Sequence, residues 1–281
     1  MYKKVLVSSY ENGYLINSRK SGKKKGKQFM NLSLTGKKAV VTGGGRGLCR
    51  SIAQAYLDAG AEVVIVGSSA RTEEAAKEMA SRHRPAAAVI GDLSEPECIP
   101  EIYAECLRIL GGRIDILVNG AGSQFRCPAE TFPYEQWERI LKLNLSAAFR
   151  MSQLAGRDML AQGCGRIINI ASMTSFFGSE QIPAYSASKG GIAQLTKALS
   201  NEWAKRGVLV NAIAPGYMKT SLTETIKTTN PSQYEQITQR IPAGRWGTGE
   251  DLQGISLLLA SDAASYITGA VIPVDGGYLG K

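Results

Sequence analysis

The chain has a single histidine, His83, among its 281 residues. It has five cysteines, Cys49, Cys98, Cys106, Cys127 and Cys164, and no two of them form a C-x-x-C pair. Zinc sites need about four such ligands at short spacing, so no metal is expected. An odd, scattered set of cysteines carries no disulfide framework and fits a reducing cytoplasm. No apolar run reaches the roughly 20 residues that cross a bilayer, so a membrane span is excluded. The amino terminus has no apolar h-region, which excludes a secretory signal.

Charge of one sign is also scarce outside one segment. The formal net charge is +9. Residues 1–29 hold eight basic residues (Lys3, Lys4, Arg19, Lys20, Lys23, Lys24, Lys25 and Lys27) against one acid, Glu11. The remainder carries only +2, so its composition implies no basic surface for nucleic acid. Residues 1–31 are expected to be a flexible basic extension, with Met30 as the natural start of the folded part. An arm for nucleic acid or acidic lipid is the alternative. Residues 32–281 are expected to form one domain.

What is present is a repeating pattern. Short apolar runs, "KAVVTG", "EVVIVG", "AAAVIGD", "IDILVNG", "RIINIAS", "VLVNAIAPG" and "AVIPVDGG", alternate with helical stretches. Each run is apolar on both faces, as strands of a covered parallel sheet must be. The alternation predicts an α/β fold: a single-domain, Rossmann-type, doubly wound parallel sheet of seven strands. Helices are expected over Arg46–Ala59, Tyr134–Gln162 and Pro183–Arg206. In the last, Ile192, Leu195, Leu199 and Trp203 mark a buried stripe, and Gly207 stops the helix. Trp137 and Trp203 read as packing residues, and His83 as a solvated one.

"TGGGRGLC", Thr42 to Cys49, follows the first strand and opens the first helix. It is neither G-x-G-x-x-G nor an NTPase P-loop. A glycine turn at a helix N-terminus still offers free N–H groups and a positive helix end to a pyrophosphate. "YSASK" places Tyr185 and Lys189 four apart on one helix face.

These segments together resemble the short-chain dehydrogenase/reductase family. Thr42, Gly43 and Gly47 match its T-G-x3-G-x-G loop, with Cys49 in place of the third glycine. Asp92 follows the third strand, where the family contacts adenine. "NGAG", Asn119 to Gly122, is similar to the family's N-N-A-G, with Gly120 departing from the second Asn. "PGYMKT" matches the loop that holds the nicotinamide end. The resemblance covers residues 32–281. It implies a cofactor site of Gly43, Arg46, Gly47, Leu48, Ser68, Ser69, Asp92, Leu93, Asn119, Ala121, Gly122, Pro215, Gly216 and Thr220, joined by Tyr185 and Lys189.

Ser172 and Asn144, at their spacing from Tyr185 and Lys189, complete a set that resembles the family's catalytic tetrad. The residue types suit the chemistry. A phenol has an ordinary pKa of about 10, and a nearby ammonium or an oxidised nicotinamide favours its phenolate. Tyr185 would then exchange a proton with the substrate oxygen, and Ser172 would hold that oxygen. The resemblance gives Lys189 the cofactor ribose and Asn144 a relay water. Ser172 as a turn cap and Asn144 as a backbone partner are the structural alternatives.

"RIPAGRWG", "NEWAK", "NAIAPGYM" and "VDGGYL" are similar to the family's sugar-acid dehydrogenases of the deoxygluconate and gluconate kind. A sugar-acid substrate is therefore expected, with Arg126 as its carboxylate partner and Arg245 as a loop-ordering residue. A 3-oxoacyl-carrier-protein reductase is the alternative enzyme. A nucleotide-binding regulator or RNA-binding protein is the non-enzymatic one. No acid stands near the end of the second strand at Gly67, Ser68 and Ser69, while Arg46 and Arg71 are basic. This favours NADP, while the sugar-acid resemblance leans toward NAD, which is the alternative cofactor. The resemblance also implies a homotetramer.

Overall fold

All seven apolar runs become strands. They are β1 (Lys38–Thr42), β2 (Glu62–Gly67), β3 (Ala86–Ile90), β4 (Ile116–Asn119), β5 (Gly165–Ile170), β6 (Val208–Pro215) and β7 (Val271–Val274). The computed structural model describes residues 32–80, 86–220 and 226–281. The expected basic extension and His83 lie outside the described residues.

The strands form one sheet in the order β3-β2-β1-β4-β5-β6-β7. Every pairing is parallel. The central strands β4 and β6 are buried along their whole length, while β3 and β7 at the edges are partly exposed. This is why the sequence runs apolar on both faces rather than alternating. Ala39 and Val41 face one apolar cluster, built with Ile52 and Tyr56. Val40 faces the other, built with Tyr103, Met151 and Trp203.

The helices are α1 (Gly47–Asp58), α2 (Arg71–Met79), α3 (Ile99–Ile109), α4 (Tyr134–Leu141), α5 (Ala147–Gln162), α6 (Pro183–Trp203), α7 (Pro231–Arg240) and α8 (Gln253–Ala260). One expectation needs correction. Tyr134–Gln162 is not a single regular helix, because Lys142–Ser146 forms a π turn between α4 and α5. Apolar periodicity registers the helix but not one inserted residue. The α6 expectation holds: a 3-10 turn follows to Arg206, and Gly207 ends it with φ 87°. Ile192, Leu199 and Trp203 are buried, with Leu195 partly so.

The chain order reverses beside β1. From β1 it winds outward through β2 to β3, then returns as β4 on the other side. Open parallel sheets form a crevice at such a point, beyond the carboxyl ends of the strands. Thr42 and Asn119 end the two strands that flank it.

Candidate active site

Thr42 joins the two sides of the crevice. Its Oγ1 accepts the N–H groups of Gly120 (2.9 Å) and Ala121 (3.1 Å) and donates to the Val118 carbonyl (3.2 Å). Gly43 has φ 71°, and a Cβ there would come within 2.9 Å of the Gly120 carbonyl oxygen. Only glycine satisfies both demands. Gly47 opens α1 with φ 58°. No side chain caps α1, and no acid lies in its first turn. Its leading N–H groups and positive end therefore suit an anion, and the cradle fits a pyrophosphate.

Cys49 is buried beneath this turn. A Cβ added at Gly120 would overlap Cys49 Sγ and come within 3.3 Å of Ile170. The two departures from the family pattern thus touch. The sulfur takes the space that a side chain at 120 would need. Burial pushes the Cys49 thiol up to about 11.

At the end of β2, a Cβ on Gly67 would overlap Thr72 Oγ1. The same hydroxyl lies 3.1 Å from where a Cβ on Gly45 would sit. Arg46 and Arg71 are each one residue from that contact, and both are exposed, as are Ser68 and Ser69. Asp92 is exposed beyond β3. One carboxylate oxygen accepts the Ser94 N–H (2.9 Å) and hydroxyl (2.7 Å), which holds its pKa below the usual range.

Several expected cofactor residues meet the crevice by backbone. The Leu93 side chain is buried in the apolar cluster of Val40, and Leu48 packs against the other one, that of Ala39 and Val41. The Asn119 side chain turns inward and donates to Ser152 Oγ and Asn169 Oδ1, both at 2.9 Å. Asn169 in turn donates to Thr196 (2.9 Å). Across the crevice, Pro215 ends β6, and the Gly216 N–H donates to Val274 (2.9 Å). A Cβ on Gly216 would come within 2.6 Å of Asp275 Cα, so the approach of these loops requires glycine. Thr220 follows, immediately before residues 221–225, which lie outside the described set.

Three of the four expected catalytic residues come together where β5 ends and α6 begins, and Asn144 reaches α6 through Ser188. Ser172 follows β5, and its Oγ accepts the Thr174 N–H (3.2 Å), capping a 3-10 turn. The same side chain hydrogen-bonds to Tyr185. Lys189 Nζ sits 5.7 Å from the Tyr185 ring centre and donates to the Ile170 carbonyl (2.6 Å). Asn144 lies in the π turn. Its Oδ1 accepts the Ser123 N–H (2.8 Å), and its Nδ2 donates to the Ser123 carbonyl (2.9 Å) and Ser188 Oγ (3.1 Å). Both structural alternatives are therefore real: Ser172 caps a turn and Asn144 satisfies backbone. Gly122 sits over Asn144, 3.2 Å from its Oδ1 if a Cβ is added.

The electrostatics differ from the sequence expectation in one respect. Burial raises the Tyr185 pKa in the protein alone, and only the Ser172 hydrogen bond opposes it. Burial also lowers Lys189 to about 8. At pH 7 Lys189 still carries most of its charge, but that charge is not among the influences on Tyr185, so burial holds Tyr185 as the neutral acid in the protein alone.

Arg126 is exposed on the loop after β4, forms no ion pair among the described residues, and acts electrostatically on Tyr217. Arg245 grips Asp251 with two bonds of 2.8 Å, and Asp251 accepts the Thr248 N–H (2.7 Å). It orders its loop, as expected. Sequence reasoning missed Ser188, Tyr217 and Tyr278. Ser188 carried a signal, because its spacing from Tyr185 places it on the same helix face. Tyr217 and Tyr278 are brought together by the tertiary fold (ring centres 5.3 Å apart), which no local pattern shows.

Comparisons with known proteins agree with this geometry. A family profile described as Enoyl-(Acyl carrier protein) reductase matches residues 43–279. The chain is 45% identical to 2-dehydro-3-deoxy-D-gluconate 5-dehydrogenase of Bacillus subtilis, over 89% of this chain and 97% of that protein. A crystal structure from Beutenbergia cavernae with bound NADP at low occupancy superposes with a TM-score of 0.85 at 46% identity, covering 90% of this chain and all of that one (100%). The gluconate 5-dehydrogenase of Burkholderia cenocepacia, in complex with NADP and tartrate, gives a TM-score of 0.84 at 33% identity over 89% of this chain and 98% of its own. With a seven-stranded parallel sheet, a glycine cradle at its switch point and relatives matched over nearly their full length, the chain belongs to the short-chain dehydrogenase/reductase family, oxidoreductases that act on CH–OH groups.

Proposed function

We propose that this protein is an NADP(H)-dependent dehydrogenase that interconverts a secondary alcohol and a ketone on a sugar acid, with 2-dehydro-3-deoxy-D-gluconate as the leading substrate. The observation that carries this reading is the joining of Ser172, Tyr185 and Lys189 in one cluster at the mouth of the crevice. The substrate is supported by the named activities of the relatives above.

When bound, the oxidised dinucleotide supplies the hydride acceptor and a positive charge beside the phenol. Gly43, Arg46, Gly47 and Leu48 would hold its pyrophosphate, with Ala121 and Gly122 on the opposite wall. Asp92 and Leu93 would border its adenine, and Pro215, Gly216 and Thr220 its nicotinamide end. Ser172 Oγ holds the substrate oxygen. Tyr185 takes the hydroxyl proton in oxidation and returns it in reduction. Lys189, already fixed on the Ile170 carbonyl, positions the ribose. Asn144 anchors the turn after β4 through Ser123 and ties it to Ser188, and it would hold the relay water there. Arg126 faces the substrate carboxylate.

NADP is favoured over NAD by the crevice beyond β2. No acid is present between Gly67 and Arg71, and two arginines flank the Gly45–Thr72 contact. A homotetramer belongs to the same proposal; the exposed Phe149 and Phe176 support cover by further copies. The basic segment of residues 1–31 is proposed to lie outside the catalytic domain.

The test is turnover of a panel of sugar acids and acyl thioester ketones with NAD and NADP. Oxidation or reduction of the sugar acid with NADP(H), at least tenfold more efficient than of a 3-oxoacyl substrate, is expected. Nucleotide binding with no turnover would place the protein among regulators instead.

A further inference from the structure

Five aromatic residues, Tyr217, Tyr234, Trp246, Tyr278 and Phe177, form one chain of ring contacts that starts in the loop after β6. Tyr217 follows Gly216 in the loop after β6. Its ring centre lies 5.1 Å from that of Trp246 and 5.3 Å from that of Tyr278. Tyr278, near the carboxyl terminus, also approaches Phe177 from the loop after β5, at 6.3 Å. Met173, the residue after Ser172, is buried in this same cluster with Ile241. The cluster therefore ties the catalytic strand end, the nicotinamide loop and the end of α7 into one wall.

Arg240 is the last residue of α7, immediately before Ile241. Its guanidinium lies 4.6 Å above the Tyr278 ring centre. Such a platform fixes the long side chain without neutralising it. Arg240 forms no ion pair among the described residues. Tyr217, hydrogen-bonded to Tyr278, is acted on by two cations, Arg240 and Arg126, which both oppose the effect of burial on its hydroxyl. They arrive from different elements, α7 and the loop after β4. Arg240 is thus an unpaired guanidinium fixed on the Tyr278 ring, which in turn packs on Tyr217 in the loop after β6.

We propose that Arg240 is a second specificity-determining residue for the substrate carboxylate, in addition to Arg126, with Tyr278 as its positioning residue. This rests on the sugar-acid reading. An anion within reach of both arginines would gain from both charges. A neutral ligand end would gain neither charge. Arg245 takes no part, because Asp251 already occupies it.

The test compares 2-dehydro-3-deoxy-D-gluconate with its uncharged carboxamide in steady-state kinetics with NADP(H). In Arg240→Gln, KM for the acid should rise at least tenfold, with kcat within threefold. The carboxamide should change less than twofold, and cofactor Kd should not move. Arg240→Lys should recover part of the acid preference. Tyr278→Leu keeps the wall apolar and removes the platform, so it should give a smaller loss, about threefold, again confined to the acid. Equal losses for acid and carboxamide, or an unchanged KM for the acid, would overturn the role of Arg240. A wild-type enzyme that does not turn over the acid, or does not prefer it to the carboxamide, would overturn the sugar-acid reading itself.

Discussion

Cys49 and Gly120 occupy one another's space: the sulfur lies where a side chain at 120 would begin. Each residue alone looks like damage to a cofactor loop. Together they conserve volume at the base of the cradle, and volume-conserving exchanges are tolerated best in packed interiors. Gly120→Asn alone should therefore overpack the turn and cost about 1–3 kcal/mol of stability, with weaker cofactor binding. Cys49→Gly alone should leave cofactor Kd within a few-fold. The double variant should recover part of the Gly120→Asn loss, the remainder coming from the Thr42 carbonyl oxygen 2.9 Å from a Cβ at 120. Additive effects in thermal melts and cofactor titrations would refute the coupling.

The thiols should separate by reactivity. Cys98 and Cys164 are exposed, whereas Cys49 and Cys106 are buried with thiols pushed up to about 11 and 12. A thiol reagent on the native protein at pH 7.5 should label the exposed pair rapidly. Cys49 should react only on unfolding, because the thiolate is the nucleophile. Fast labelling of Cys49 in the native state, located by peptide mapping, would contradict this.

Cofactor choice should resist a single substitution. An acid at position 67 would meet Thr72 Oγ1 at once. Gly67→Asp is expected to lower kcat/KM with both cofactors. Gly67→Asp with Thr72→Ala should shift the NADP-to-NAD ratio toward NAD by at least tenfold, since the carboxylate then repels a 2′-phosphate. A clean switch from Gly67→Asp alone would show that the Thr72 contact is not limiting.

Lys189 should cost stability at neutral pH. Its folded pKa of about 8 lies below the ordinary 10.5. The folded state disfavours the ammonium, so stability falls as pH drops from 10.5 through 8, and the full cost is present below 8. That shift corresponds to about 3 kcal/mol, offset in part by loss of the bond to Ile170 on substitution. Lys189→Met should abolish turnover yet raise the thermal midpoint at pH 7. The gain should shrink as pH rises from 8 to 10.5. A lower midpoint at pH 7 would mean that the Ile170 bond outweighs the buried charge.

Arg126→Ala should reduce kcat/KM for the sugar acid at least tenfold, about 1.4 kcal/mol of transition-state stabilisation. Cofactor affinity should stay within twofold. Lysine should restore only part, because a point charge lacks the bidentate fork. An equal loss with uncharged ketones would make the residue structural.

The strands and the cradle were legible because their signals are local. A buried parallel strand must be apolar on both faces, and a glycine turn must precede the helix that receives an anion. Tyr185 and Lys189 were legible for the same reason, since four residues make one helical turn. Ser172 and Asn144 came from resemblance, because no local rule links a strand end to a helix interior. The π turn was invisible, as one extra residue barely disturbs an apolar stripe. Tyr217, Arg240 and Tyr278 meet only in three dimensions, from three segments more than 20 residues apart. Neither the raised Tyr185 pKa nor the lowered Lys189 pKa could be read from residue types, because both arise from burial.

The π turn at Lys142–Ser146 also sets a count. A regular helix advances about 100° per residue, so the inserted residue rotates everything before it relative to everything after it. Deleting one residue from this turn would straighten α4 into α5 and swing Asn144 away from Ser123 and Ser188 by about that angle. The composition and apolar stripe would be almost untouched. At this point in the chain, length is itself a functional variable: the site depends on how many residues stand between Tyr134 and Gln162 as well as on which ones they are.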